Sequence, residues 1–523
     1  MSSIVTAQDL TAQEKRILFW ASFLSLAAAG FGFAFRVAMG GEYAAEFNLT
    51  DQQAGQVMGA TFWPIAITMI GFSLLVDKTG YKLPMYGAFV LQALSGIGTY
   101  FAESYGALYA FAICAGLGHG IVEAVINPIC AAVYPKEKTK WLTILHAAWP
   151  AGLVFGTLLI IGSESYVEGW RFHSLWMVLP AIVYAALYAR CRFPMDERVQ
   201  AGIPFREMLQ QVGFLGAALA SFLVIYEVGN QVGHLTSWEV PADWFNYSIY
   251  AGVGVGLLYG FAVRAIGKPL FFLMCLLMIP LATAELATDG WIKALMTPVL
   301  KDVEVNPAFA LVFSAFIMLI LRIFAGGILK FFSPPGLLCV SGIFSAIGLY
   351  WLSSAAGAAI FVAFVLYALG QTYYWPCVLG FVSERYPQGG ALTLNTVSAI
   401  GLLSFGIIGA PILGAEFDSS TRDRVVAAEA EDFVNATTVD GSFMWMKHKK
   451  IDPDSKAAFL LMQSEADAAR LTTIFKDSKE AAGRDVLAYA VRFPVILLVA
   501  FGFIALWFRA QGGYKPVQLK GRD

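Results

Sequence analysis

Unbroken apolar runs, rather than strand-like alternation, organise this chain. A helix needs about 20 apolar residues to cross a bilayer. Runs of that order lie near 17–39, 53–76, 83–103, 106–134, 141–163 and 171–190, and again near 269–288, 308–329, 335–354, 358–382, 391–414 and 486–508. Two more, near 212–229 and 246–264, fall between the sets. The pattern predicts an all-α integral membrane protein of about 14 spanning helices, in a six, two, six order. The polar segment 416–485 reads as a soluble, helix-rich insert. Within it, 454–483 has a cap-like start and Gly483 as a stop. Its apolar stripe of Phe459, Leu460, Leu471 and Phe475 needs cover, from a cap over the mouth of the bundle or from a partner.

Composition agrees with the pattern. The chain is 58% hydrophobic and 14% charged over 523 residues, more apolar side chain than a soluble protein can bury. A net charge of −2 gives no reason to expect nucleic acid. The six cysteines lie in or beside apolar runs without metal-ligand spacing, and none falls in 416–485, so neither a metal site nor a disulfide scaffold is expected. The first sixteen residues are polar, so the first run reads as an anchor rather than a signal peptide. Lys and Arg set the orientation. Lys15, Arg16, Lys78, Lys82, Lys136, Lys138, Lys140, Arg190 and Arg192 share one side with Arg264, Lys268, Lys330, Arg385, Lys520 and Arg522, while the opposite short loops hold only Arg171, Lys293 and Lys301. Both termini (1–16 and 509–523) are expected in the cytoplasm, the insert outside, and the chain in the plasma (inner) membrane.

The chain repeats itself. LGHGIVEAVINPICAAVYP at 117–135 aligns without gaps to LGQTYYWPCVLGFVSERYP at 369–387. After a two-residue gap, Thr143, Phe155 and Gly156 match Thr393, Phe405 and Gly406. The same offset carries 17–39 onto 269–291. Two six-helix halves follow, 17–190 and 269–415 plus 486–508, with a linker at 191–211 and two extra helices at 212–264 between them. Internal repeats of this kind mark secondary transporters, with the binding site between the halves.

The loop after the second run has Ser73, Asp77, Lys78, Gly80 and Lys82 at the spacing of the first-loop signature of the major facilitator superfamily, with Ser73 in place of its first Gly. With the repeat and the topology, the chain resembles that superfamily over 17–415 plus the last helix. The resemblance implies the major facilitator fold and makes Asp77, Lys78 and Gly80 a latch on the cytoplasmic ends of the halves. The matching second-half loop, Lys330 to Pro335, has lost the acid. Gly116 to Pro128 is similar to helix four of the fucose permease group of sugar:proton symporters. There the matching glutamate binds or relays the proton and the Asn helps hold sugar, which implies those roles for Glu123 and Asn127. That group also places an acid near the outer end of helix one, where this chain has Arg36. Glu123 then carries coupling alone, or pairs with Arg36, or the solute is an anion.

Glu123 stands out without the resemblance. An ionisable side chain deep in an apolar run is costly, so it faces a bundle interior, pairs, or carries a proton. The dull reading is an ion pair that locks two helices. Arg36 either snorkels to the headgroups or makes a bidentate contact with a solute. Glu285 and Asp289, at a symmetry-related depth, are candidate partners for Arg36 in an outer gate. Arg322 reads as helix packing. Polar and aromatic groups cluster further along: His119, Asn127, His146 and Trp149 in the first half, Gln371, Tyr373, Tyr374 and Trp375 in the second. Amides, hydroxyls and an aromatic face suit a polyol, and Trp and Tyr also belong at ordinary membrane interfaces. Arg36, Asn127, His146, Gln371, Tyr374 and Trp375 are the substrate candidates. Trp63, Asn395 and Ser398 are weaker ones. Gly252, Gly254 and Gly256 read as helix packing, Glu227 as lying in water, and Asn435 as a sequon that chance also produces.

The leading expectation is a monomeric, proton-coupled symporter of a sugar or similar small polar solute, with no cofactor. Its alternatives are an organic-anion or other solute transporter, including an exporter, and a solute sensor on the same fold. No HExxH, GxSxG or P-loop points to an enzyme.

Overall fold

The computed structural model describes residues 5–49, 51–163, 165–236, 238–300, 309–428, 430–443 and 446–519. Lys301, Lys520 and Arg522, used above for orientation, lie outside the described residues, as does the side chain of Lys293. Eleven helices among the described residues are long and apolar enough to cross a membrane, and Val312–Ile323 is a shorter apolar helix. Lys82–Tyr100 and Trp244–Val263 fill two further predicted positions. The protein is an all-α, multi-pass membrane protein with a single small β-hairpin among the described residues.

Local chemistry starts the first helix. The Thr11 hydroxyl accepts the Glu14 N–H at 3.2 Å, and the Glu14 carboxylate accepts the Thr11 N–H at 2.8 Å, a reciprocal cap that opens Ala12–Glu46. The two extra helices, Phe205–Leu235 and Trp244–Val263, pack side by side through small residues. A Cβ on Gly252 would lie 2.6 Å from the Phe222 nitrogen and one on Gly256 2.6 Å from Ala218 Cβ, while Gly254 faces open space.

Phe205–Leu235 is kinked where Gly213 takes φ 55°, close to the start of the apolar run. On either side the backbone zips to the segment before Pro269: Phe214 N–H donates to Ala265 O at 3.1 Å and Lys268 N–H to Gln211 O at 3.1 Å. A Cβ on Gly213 would sit 2.1 Å from the Gly267 nitrogen. Gly213→Ala is therefore expected to destabilise the purified protein by roughly 1–3 kcal/mol, read as a lower melting temperature in detergent. Gly254→Ala is the matched control and should leave the melting temperature unchanged.

The insert departs from the helix-only expectation. Thr438–Phe443 pairs antiparallel with Met446–Ile451. The helix expected over 454–483 is two helices, Pro453–Leu461 and Glu465–Ala490. Ser464 ends the first by capping the second, accepting the Asp467 N–H at 3.2 Å. Gly483 stops nothing. Its helix continues to Ala490 because Ala482, Val486, Leu487 and Ala490 are buried against Leu295, Leu413 and Phe417, and tertiary packing outweighs glycine's weak helix propensity. The apolar stripe finds its cover inside the insert, where Phe459, Leu460, Leu471 and Phe475 pack with Val425, Phe433 and Val434. Asn435 is exposed on Glu431–Thr437.

Two spanning helices widen into π-turns. Thr283–Ala287 follows Pro280, and Phe405–Gly409 precedes Pro411. Proline removes a ladder hydrogen bond, and π-turns recur at functional sites. The two turns pack on each other: a Cβ on Gly409 would meet Thr283 Oγ1 at 2.8 Å. Glu285 lies in the first of them.

Candidate functional site

Three prolines prepare the centre of the bundle. A proline cannot bond the carbonyl four residues before it, so Pro128, Pro150 and Pro376 free the carbonyls of Ala124, His146 and Thr372. In a membrane such a carbonyl must be satisfied by another group, and here each is. Asn395 Nδ2 donates to Ala124 O at 3.1 Å, Arg322 NH1 to His146 O at 3.0 Å and Arg322 Nε to Thr372 O at 2.8 Å. Arg322 thus joins the first half to the second. Its third contact is an ion pair, NH2 to Glu285 Oε1 at 2.8 Å, with both side chains buried. Glu285 Oε2 accepts the Trp375 N–H at 3.2 Å.

The outer-gate pairing of Arg36 with Glu285 or Asp289 is not formed. Both oxygens of Glu285 are taken by second-half donors, and Asp289 Oδ1 accepts Gln371 Nε2 at 3.3 Å. Arg36 does not snorkel either. It is 4% exposed and donates to Gly32 O at 2.8 Å and Ser95 Oγ at 2.9 Å. Arg322 holds far more than a packing contact.

Glu123 continues the polar chain in the first half. Its Oε2 accepts Asn127 Nδ2 at 2.7 Å, and its Oε1 lies 3.7 Å from His119 Nε2. Asn127 Oδ1 lies 3.0 Å from His146 Nε2. With the Asn127 amide nitrogen toward Glu123, its oxygen faces His146, an arrangement that suits the Nε2–H tautomer of that ring. The side chains of His119, Glu123, Asn127 and His146, then the His146 carbonyl, Arg322 and Glu285, form one buried polar line across both halves.

Beside this line lies a small cavity of about 30 Å³, lined by Gly32, Phe33, Arg36, Thr61, Phe62, Gln92, Ser95, His119 and Trp149. The His119 ring stacks on Trp149 with centroids 5.3 Å apart. Gln92 is buried, and among the described residues neither its amide oxygen nor its nitrogen has a partner. Leaving a buried amide unpaired is costly. Gln92 and Ser95 give no signal in the sequence, being ordinary polar residues in an apolar run. Gln371, Tyr374 and Trp375 do not line this cavity. Gln371 Nε2 donates to Ser314 Oγ at 2.7 Å, while among the described residues neither its Oε1 nor the buried Tyr374 hydroxyl has a partner. Ser398 is buried with an unpartnered hydroxyl. Trp63 faces a second crevice, together with Glu227, which is half-buried there.

At the end carrying the chain termini the halves touch directly. Thr139 Oγ1 donates to Glu384 Oε1 at 2.5 Å and Lys138 Nζ to Ser383 O at 3.4 Å. Ser73, the departure from the signature glycine, accepts Asn395 Nδ2 at 2.7 Å from the second half. Asp77 pairs with Arg198, a buried residue of the linker helix Glu197–Gln200, and the adjacent Glu197 pairs with Lys138. The Tyr81 hydroxyl donates to Asp196 at 3.2 Å, and burial raises the Asp196 carboxyl above its ordinary range. Lys78 is exposed, and Gly80 ends Trp63–Thr79 at φ 64°. The signature loop is thus held by the linker. A double-mutant cycle of Asp77→Asn and Arg198→Met on melting temperature should return a coupling of roughly 0.5–3 kcal/mol; strictly additive effects would deny the latch.

Known structures share this architecture. A proton:xylose symporter aligns at 14% identity and TM-score 0.53, covering 94% of this chain and 97% of that one. The E. coli fucose:proton symporter aligns at 12% identity and TM-score 0.54, covering 92% and 98%. A human organic anion transporter aligns at 11% identity and TM-score 0.54, covering 76% and 93%. At these identities the likeness is one of fold. The profile of the Major Facilitator Superfamily matches residues 18–413. The chain therefore belongs to the Major Facilitator Superfamily, a family of membrane transporters rather than enzymes.

Proposed function

We propose that this protein is a monomeric secondary transporter that moves a sugar or similar small polar solute together with protons by alternating access. The carrying observation is the buried polar line from His119 to Glu285, because it puts an ionisable acid, Glu123, in the same network that bridges the two halves. Glu123 is the proton carrier in this reading. Arg36, Gln92, Ser95 and His119 hold the solute's hydroxyl groups, and Trp149 offers an aromatic wall. Asn127 and His146 relay solute occupancy to Glu123. Gln371, Tyr374 and Trp375 complete the grip when the second half closes, and Glu285 and Asp289 move with that closure. Asp77, Lys78 and Gly80 belong to the gate at the end that carries the termini. The Lys and Arg distribution supports cytoplasmic termini and a plasma-membrane location. The sugar:proton symporters among the structural neighbours agree with this reading.

The test is uptake of labelled hexoses, polyols and uronates into proteoliposomes under an inward proton gradient. Accumulation of a neutral sugar that collapses with a protonophore supports the reading. A second reading rests on Arg36, which among the described residues has no carboxylate partner inside the cavity. It takes an organic anion as the solute. Uronate uptake without hexose uptake, lost in Arg36→Gln, would favour it, and no accumulation of any solute would defeat both.

A further inference from the structure

The first extra helix, Phe205–Leu235, carries Glu227, Asn230, Gln231 and His234 at i, i+3, i+4 and i+7. That spacing places all four on one face. In a spanning helix such a face is expensive against lipid and belongs against protein or a cavity. All four line an open crevice between this helix and the bundle. The opposite walls come from both halves: Trp63 from the first, and Phe405, in the second π-turn, from the second. Phe62 lines both this crevice and the cavity beside Glu123, and its ring meets Phe405 with centroids 4.9 Å apart. The crevice is thus adjacent to the solute cavity, separated by one aromatic pair.

Its chemistry differs from that of the cavity. Glu227 Oε1 accepts Gln231 Nε2 at 2.7 Å, and Gln231 Oε1 accepts the Tyr109 hydroxyl at 2.5 Å, so the carboxylate is held in place. Among the described residues no donor reaches Glu227 Oε2 and no basic side chain forms an ion pair with it. Among the described residues no Lys or Arg lines the crevice, though His234 does, together with Trp63, Tyr226, Phe62 and Phe405. A fixed carboxylate among aromatic faces and amides attracts a bulky cation through charge and cation–π contact. No cluster of metal-ligating side chains exists among the described residues.

We propose that this lateral crevice binds an organic ammonium group, with Glu227 as counter-ion and Tyr226 and Trp63 as aromatic walls. The two added helices then have a task, since the first of them supplies the charge. The ammonium group comes from a soluble amine or from the headgroup of an amine-bearing phospholipid.

The full chain in phosphatidylglycerol nanodiscs, which hold no amine, is titrated with choline and with ethanolamine. Melting temperature and tryptophan fluorescence are read. A saturable response is expected, at least about tenfold weaker in Glu227→Gln, a loss of one charged contact, and kept in Glu227→Asp. The neutral isostere 3,3-dimethylbutanol should give none. Adding phosphatidylethanolamine separates the sources. If it raises the melting temperature in a Glu227-dependent way and weakens choline binding, the headgroup is the ligand; if soluble amines bind undisturbed, a free amine is. Absence of any response to amine or lipid, an equal response to the neutral isostere, or an unchanged response in folded Glu227→Gln overturns the proposal. Should Glu227→Gln not fold, Tyr226→Leu takes its place, with weaker amine binding expected and unchanged binding overturning.

Discussion

Arg322→Leu is expected to cost the folded protein roughly 3–5 kcal/mol and to abolish transport. The reasoning runs through what the substitution leaves behind. Arg322 satisfies two proline-freed carbonyls, His146 O and Thr372 O, and neutralises Glu285. Without it all three stay buried and unpaired, and each carries a desolvation cost. Arg322→Lys keeps the charge but loses the planar fork that reaches three acceptors at once, so it should recover only part of the stability. The double variant Arg322→Leu with Glu285→Leu removes both charges and should regain much of the melting temperature, yet stay inactive because the bridge between the halves is gone. Thermal melting in detergent and uptake in proteoliposomes check all three. A single variant as stable as the natural protein would show that the bridge does not support the fold.

The repeat pointed to the fold because register survives where identity does not: 117–135 and 369–387 share few residues but the same apolar spacing. The role of Arg322 was less legible. Its partners are backbone carbonyls, which no side-chain pattern reveals. The sign lay in the prolines, since Pro150 and Pro376 each stand four residues after a carbonyl that Arg322 reaches. The partner of Arg36 was misread because equal depth does not mean adjacency, and Glu285 turned to the nearer Arg322 of its own half. The π-turns and the unpaired Gln92 left no periodic trace. The hairpin in the insert was hidden because six-residue polar strands carry little apolar alternation, and Gly483 misled because a buried glycine inside a packed helix looks the same in sequence as one at its end. Asp77, in contrast, came from the signature, while its partner Arg198 came from a linker that no repeat covers.

Glu123→Gln should separate coupling from binding. The amide has nearly the same shape as the carboxylate. Its oxygen can still accept Asn127 Nδ2, and its NH2 group can face the His119 ring nitrogen that now lies 3.7 Å from Oε1. Stability should therefore change little, less than about 1 kcal/mol, since a charge is removed from a buried site and its hydrogen bonds are kept. What disappears is a group that can gain and lose a proton. In the proposed cycle that proton enters with the solute, so uphill accumulation under an inward proton gradient should fall to the passive level in the variant. Exchange of labelled for unlabelled solute needs no net proton movement and should continue, with His119, Arg36 and Gln92 still facing the cavity. Asn127→Ala makes the contrasting variant. It unties Glu123 from His146 and should weaken exchange and accumulation together. If Glu123→Gln still accumulates solute against a gradient, the proton travels elsewhere and Glu123 is a structural acid. If it loses exchange as well, the carboxylate holds the solute itself.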